Sequence, residues 1–246
     1  MEYTDKVVAF IDILGFKKII TSDKYSEDSI SFMLRSMKEV YEYDNYHNSS
    51  TIKPFLSVFS DNIFISYNLS EYPENEIFED LIQRTSIMQA VLFSHGIFVR
   101  GGITKGKMIH NERECFGPAI VRAVELESKI AIYPRIVFDN NLEIEKILQN
   151  SKFKCVIEES EIGMKYLNFF SFLNMDRLTP IMDIDTTSFF SIRDILYKKL
   201  SEITDKDSEN RPKIVWMIKK WNSFINEIIK SFPHVDSRYS DYLIEY

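Results

Sequence analysis

The segment Lys6–Leu14, KVVAFIDIL, is an almost unbroken apolar run rich in β-branched side chains. Its length suits a strand better than a helix. Its lack of polar alternation marks a central strand buried on both faces. Everything else in the chain has to be arranged around that strand. Most of the backbone freedom is placed in one stretch. The 246 residues include only 7 glycines, and five of them (Gly96, Gly101, Gly102, Gly106, Gly117) lie close together. Glycine permits close approach of backbone to a neighbour, so this stretch is a candidate site.

Helical spacing over Ser26–Tyr43 places Ile30, Met33, Leu34, Met37, Val40 and Tyr41 on one face. FLSVFS (55–60) and NIFISY (62–67) read as two strands joined at Ser60-Asp61-Asn62. Glu76–Ser94 is a second helix, with acidic residues in its first turn. Ile97–Thr104 is a strand with Lys107–His110 as its hairpin partner. Gly117-Pro118 opens a helix to about Ile130, Tyr133–Phe138 is a strand and Asn141–Gln149 a short helix. Phe153–Ile157 and Lys165–Phe172 are expected as edge strands. Ser191–Thr204 and Arg211–Lys230 are amphipathic helices around a solvated loop, Asp205–Asn210. The order predicts an α+β fold, a sheet with helices on one face near the split βαβ pattern. Residues 1–150 are expected to form the core. Residues 151–246 are expected as a C-terminal extension packed on it.

Several function classes drop out. Two cysteines cannot build a disulfide framework, and 4 scattered histidines lack metal-ligand spacing. No apolar run approaches the ~18 residues of a membrane span. The amino terminus lacks the basic region of a signal peptide, so a cytoplasmic location is expected. A net charge of -7 argues against a broad polynucleotide surface. A small anion held by local cations is compatible with that charge. Between Arg100 and Arg135 seven Lys/Arg face four Glu, a local positive excess.

Two aspartates stand out. Asp12 is embedded in the apolar strand, and Asp61 sits at the hairpin between two others. Taken singly, Asp61 is a turn residue and Asp12 caps the next segment. Taken together, they bring two carboxylates to one end of the sheet if the hairpin packs beside the first strand. Carboxylates that close repel or share a proton, and a divalent cation with oxygen preference resolves this. Arg100-Gly101-Gly102-Ile103-Thr104-Lys105-Gly106 suits either a phosphate or a crowded bulge. Cys115 reads as a small buried residue, and the helix with Trp216 and Trp221 as packing or a dimer contact.

These motifs resemble class III nucleotide cyclases. FIDILGF (10–16) is similar to the F-x-D-I-x-G-F segment of that family, and Phe59-Ser60-Asp61 to its L-G-D hairpin. VRGGITKG (99–106) is similar to the R-x-G-I-x-x-G strand. GPAIVRAVELE (117–127) is similar to the G-x-x-V-N-x-A-x-R-x-E helix. Within the superfamily the RGGI, G-P-A, E-L-E and Y-P-R-I segments look most like the bacterial Pycsar pyrimidine cyclases.

The resemblance implies a βααβαββαβ core and a homodimer acting on UTP or CTP. It implies a cyclic 3′,5′-nucleotide and pyrophosphate as products, with a second-messenger role in antiphage defence. It implies two Mg²⁺ or Mn²⁺ ions held by Asp12, Asp61 and the Ile13 carbonyl. Amides from Leu14, Gly15 and Phe16 would hold phosphate. The purine-family transition-state Asn and Arg are replaced here by Val121 and Glu125, so Arg100, Arg122 and Arg135 are the candidate cations. The base-selecting Lys falls on Ser57, which fits a pyrimidine; Phe55, Ser57 and Glu114 are the candidates near the base. A purine cyclase and a non-catalytic nucleotide sensor are the alternatives.

Overall fold

The computed structural model describes residues 2–23, 25–42, 52–173, 186–203, 208–231 and 237–246. Residues 205–207 of the expected solvated loop lie outside the described residues. The chain separates into two compact units: Met1–Leu92 with Ile97–Asn168, and Phe93–Gly96 with Phe169–Tyr246.

The first unit opens with β1 (Thr4–Ile13), the short α1 (Phe16–Ile20) and α2 (Glu27–Glu42). The hairpin β2 (Phe55–Phe59) and β3 (Asn62–Asn68) leads into α3 (Glu74–Ser94), whose last two residues belong to the second unit. Then come β4 (Val99–His110), β5 (Cys115–Phe116) and α4 (Pro118–Glu125), which runs into a π-helical turn at Leu126–Ile130. β6 (Ile136–Phe138), α5 (Ile144–Ile147), a 3-10 turn at Lys152–Val156, β7 (Ile157–Glu159) and β8 (Lys165–Leu167) complete it. The sheet order is β2-β3-β1-β4-β6-β8-β7, with β5 paired to β4. Among the described residues only the β4–β6 pairing is parallel.

β1 lies in the middle, between β3 and β4. Val7, Val8, Ala9 and Ile11 are all 0% exposed, as an apolar run without alternation requires. Its two faces are covered differently. On the face of Tyr67, the Tyr67 hydroxyl donates to Asp80 of α3 at 2.9 Å. Arg84 of α3, 1% exposed, pairs with Asp80 and donates to the Val40 and Tyr41 carbonyls of α2, so α2 and α3 are locked together. The expectation of helices on one face holds for this pair. α4 covers part of the other face, packing Ala119 and Ala123 against Val8, Phe10 and Met108.

That approach is what the glycines of β4 serve. A Cβ on Gly102 would stand 2.4 Å from the Leu126 Cβ and 2.5 Å from the Ala123 carbonyl. Four residues on and on the same face, Gly106 faces Ala119. For Gly102 and Gly106 the close partner is therefore helix α4 and its continuation; for Gly101 it is β1, where a Cβ would stand 2.6 Å from the Phe10 carbonyl.

Three expectations change. The strand and hairpin partner proposed over 97–110 form one continuous β4, and the short β5 is its hairpin mate. Glycine in the strand bends it without ending it. The edge strands are shorter than expected. Most of Phe153–Ile157 is a 3-10 turn, and only Lys165–Leu167 is strand before α6 (Phe169–Leu173) begins. The helix opened by Pro118 leaves α geometry at Leu126, where the Ala131 amide donates to the Leu126 carbonyl at 2.8 Å.

The second unit contains α6, α7 (Thr186–Ser201), α8 (Arg211–Ser231) and a 3-10 turn at Ser237–Tyr242. Trp221 of α8 is 0% exposed, its ring 5.7 Å from both Phe170 and Phe224. Its indole N–H donates to the Tyr242 carbonyl at 2.8 Å. Asn222 clasps the Ile244 backbone, donating to its carbonyl (2.8 Å) and accepting from its amide (3.0 Å). The tryptophan helix is thus core packing.

Candidate active site

Strand pairing brings the two singled-out aspartates together. Asp12 is opposite Asn62 of β3 on one side and Arg100 of β4 on the other. Asp61 belongs to the Ser60-Asp61 turn between β2 and β3, where Ser60 takes φ 55. The turn is fastened to β1 by the Ile13 amide, which donates to the Asp61 carbonyl at 3.2 Å. Burial, then the negative charges of Glu127 and Asp61, push Asp12 up to about 7 against the opposing pull of Arg100.

Glu127 is the third carboxylate, absent from the sequence expectations. Burial raises its pKa; Arg100 opposes this and Asp61 adds to it. The residue is 4% exposed. It continues the Ala119–Ala123 stripe of α4 into the π-helical turn, and the helix period alone would have placed it on the covered face. Arg100 Nε stands 2.5 Å from Glu127 Oε1 and 3.6 Å from Asp12 Oδ2. The 2.5 Å approach lacks hydrogen-bond angles, so it is a charge contact. Among the described residues no hydrogen bond engages the two Nη groups of Arg100.

The other two arginines are placed differently. Arg122 is forked onto Asp139, with Nε and Nη2 donating at 2.9 and 2.7 Å. Thr104 donates to the same carboxylate. Arg135 is 4% exposed and sits 5.5 Å from the Tyr133 ring and 5.4 Å from the Tyr166 ring.

Gly15, at φ +79, caps α1 and lets the chain turn immediately after Ile13 and Leu14. The Leu14 amide donates to the Phe98 carbonyl at 2.8 Å, so it is already engaged; the Phe16 amide begins α1, where no intrahelical acceptor exists.

A second cluster lies one strand row away on the same face. Ser57 pairs across to Phe64, which pairs to Phe10; Phe59, Asn62 and Asp12 form the next row. The row spacing is roughly 7 Å. The Phe64 and Phe10 rings meet at a tilt with centroids 4.8 Å apart, and with Cys115, Ile120 and Val124 Phe64 is only partly covered. Ser57 Oγ is 3.0 Å from His110 Nε2, and Ser66 Oγ is 2.8 Å from His110 Nδ1. Burial pushes the Cys115 thiol up, and Ser57 and Lys6 oppose this. The Phe55 ring lies 6.0 Å from the His110 ring and 4.5 Å from Lys6 Nζ. Glu114, the remaining sequence candidate, is exposed in the β4–β5 turn, where its amide donates to Asn111. Lys6, Ser66, Cys115 and His110 were not predicted for this place.

Among the described residues no group of three or more His, Cys, Asp or Glu is arranged to hold a metal. Asp12 and Asp61 supply two carboxylates with excess negative charge. A Mg²⁺-type ion commonly takes one or two carboxylates and completes its shell with water and substrate phosphates, so this donor set fits.

No protein-family profile matches the chain, and no characterised protein sequence matches it. Solved structures do. The crystal structure of the monomeric guanylyl cyclase domain of the RhoGC fusion protein from the aquatic fungus Blastocladiella emersonii aligns with a TM-score of 0.50. It is 18% identical, and the match covers 68% of this chain and 96% of that domain. A double mutant of the same domain aligns at 0.43 with 17% identity, covering 68% and 94%. The fold of the chain is therefore a mixed α/β sheet with helices matching a class III cyclase domain. Among the described residues no helix is long and apolar enough to cross a membrane.

Proposed function

We propose that the protein is a metal-dependent nucleotide cyclase that converts a pyrimidine nucleoside triphosphate, UTP or CTP, to its 3′,5′-cyclic nucleotide and pyrophosphate. The observation that carries this reading is the juxtaposition of Asp12 and Asp61 beside Arg100 on a cyclase-type sheet. The pyrimidine preference, the homodimer and a role in antiphage signalling rest on the sequence resemblance.

Asp12 and Asp61, with the Ile13 carbonyl, would hold Mg²⁺ or Mn²⁺. Bound there, the ions supply charge neutralisation of the triphosphate and acidification of the ribose 3′-hydroxyl. Arg100 is the best placed of the three arginines to meet a phosphoryl group. Its Nε is steadied between Asp12 and Glu127, and its Nη pair is left for an anion. Arg122 is committed to Asp139 and Arg135 is buried beside two tyrosines. The amides at the start of α1 orient phosphate oxygens. Phe64 and Ser57, one row from Asp12, and Phe55, two rows away, form the surface for the base.

The test is incubation with each of the four nucleoside triphosphates and Mn²⁺, with products identified by mass. A cyclic pyrimidine nucleotide is expected. GTP as sole substrate would overturn the pyrimidine assignment, and no cyclic product from any of the four would overturn the enzyme. Arg100→Ala is expected to lower turnover about 100-fold or more, the scale of a lost transition-state charge donor. A larger loss in Arg122→Ala would reassign the role.

A further inference from the structure

A third carboxylate in a site that is to hold a polyanion needs a physical reason. Glu127 is buried beside Arg100, and its charge is felt by Asp12 and Asp61. Among the described residues no three acidic side chains are arranged to hold a metal, so Glu127 does not complete an ion's shell with the two aspartates. By charge alone it repels phosphate. What it touches is the Nε edge of Arg100, at 2.5 Å. Its seat is set by the main chain. Gly102 is two residues along β4 from Arg100 and on the same face, a step of roughly 7 Å. A Cβ on Gly102 would stand 3.2 Å from the Glu127 amide nitrogen as well as 2.4 Å from the Leu126 Cβ. The start of the π-helical turn therefore rests directly on β4, and the Glu127 side chain spans only the single step back to Arg100.

We infer that Glu127 is a positioning residue: seated by Gly102 and the π-helical turn, it fixes the Nε edge of Arg100 so that the guanidinium meets a phosphate in one orientation. Arg100 is half-buried on a long stem, and ordering such a side chain costs entropy at the moment of binding unless a neighbour has already ordered it. A planar guanidinium held along one edge keeps a rigid fork direction. Asp12, 3.6 Å from the same nitrogen, is the weaker hold, and as a metal ligand its charge is committed elsewhere. The inference rests on the reading of Arg100 as the group that meets phosphate. It does not require that cyclisation occur.

The sign of one substitution separates positioning from plain electrostatics. Removing a negative charge beside an anion site should tighten anion binding if charge is all that Glu127 supplies. If it positions Arg100, the same change should weaken binding. The probe is inorganic tripolyphosphate with Mn²⁺, titrated into the full chain by isothermal titration calorimetry, and kcat/KM for UTP is the second readout. Glu127→Leu is expected to weaken binding about tenfold, the scale of one charge-assisted contact. Glu127→Gln, closer in shape, should weaken it about threefold and decides the matter if the leucine variant does not fold, which melting temperature shows. The double-mutant cycle with Arg100→Ala completes the test. Once Arg100 is gone there is nothing to position, so Glu127→Leu should no longer weaken binding. A merely structural Glu127 would weaken it equally with or without Arg100.

If cyclic product forms but the Glu127 variants bind tripolyphosphate as well as wild type or better, or weaken it equally in the Arg100→Ala background, the inference is overturned while the cyclase reading stands. If no cyclic product forms yet Glu127→Leu weakens binding only when Arg100 is present, the inference stands and the cyclase reading falls. Product without measurable tripolyphosphate binding leaves the cycle to kcat/KM, judged by the same rule. If wild type neither binds tripolyphosphate nor forms product, both are overturned.

Discussion

Acidification should weaken the first unit through His110, and the size of the effect can be worked out. The imidazole sits at about 4 in the folded chain against 6.5 when free, a difference of 2.5. The folded state favours the neutral ring, because burial and Lys6 both oppose a positive charge there. Above pH 6.5 the ring is neutral folded or unfolded, and the position costs nothing. As pH falls below 6.5 the unfolded chain binds a proton that the folded chain refuses, so stability declines until about pH 4. The full loss is about 3 kcal/mol, and about 2 kcal/mol has gone by pH 5. Urea unfolding at pH 7 and pH 5 measures it, in wild type and in His110→Gln. Both tryptophans, Trp216 and Trp221, belong to the other unit, so far-UV circular dichroism is the suitable probe. Subtracting the variant cancels the titrations of Lys6 on β1, Cys115 on β5 and the carboxylates. The wild type should lose about 2 kcal/mol more than the variant between the two pH values. Parallel losses would refute the reasoning, because they would mean that the buried ring accepts its proton as freely as it does in water.

Asp12 should act in the opposite sense. Held up at about 7 by burial and by its carboxylate neighbours, it destabilises the fold when ionised; in protein freed of divalent ions, Asp12→Asn should raise urea stability at pH 8 by a few kcal/mol and lose that advantage as pH falls toward 4. Gly102→Ala should cost about 1–3 kcal/mol, because its Cβ would meet the Leu126 Cβ at 2.4 Å, whereas Gly106→Ala, facing Ala119 at 3.4 Å, should be far milder; thermal melts compare them. Asn222→Ala should lower the stability of the second unit by about 1–2 kcal/mol and increase amide exchange at Ile244, read by mass spectrometry.

What was readable in advance depends on how far along the chain the cause lies. β1 declares itself because its apolar run has no exposed face to alternate with. Asp12 and Asp61 declare themselves because a charge among β-branched residues demands compensation nearby, and neighbouring strands supplied the partner. The glycines of β4 pointed to a close backbone approach, and that much was right. Composition could not say that the approaching group was the Ala119–Ala123 stripe of α4. His110 was hidden for a different reason. Ser57, Ser66 and His110 are separated by up to 53 positions, and only the register of β2, β3 and β4 brings their side chains to one spot. A one-residue slip in any of those pairings would turn the side chains to the opposite face. A cluster of this kind is carried by the strand pairing as much as by the side chains, and therefore has no local sequence signature.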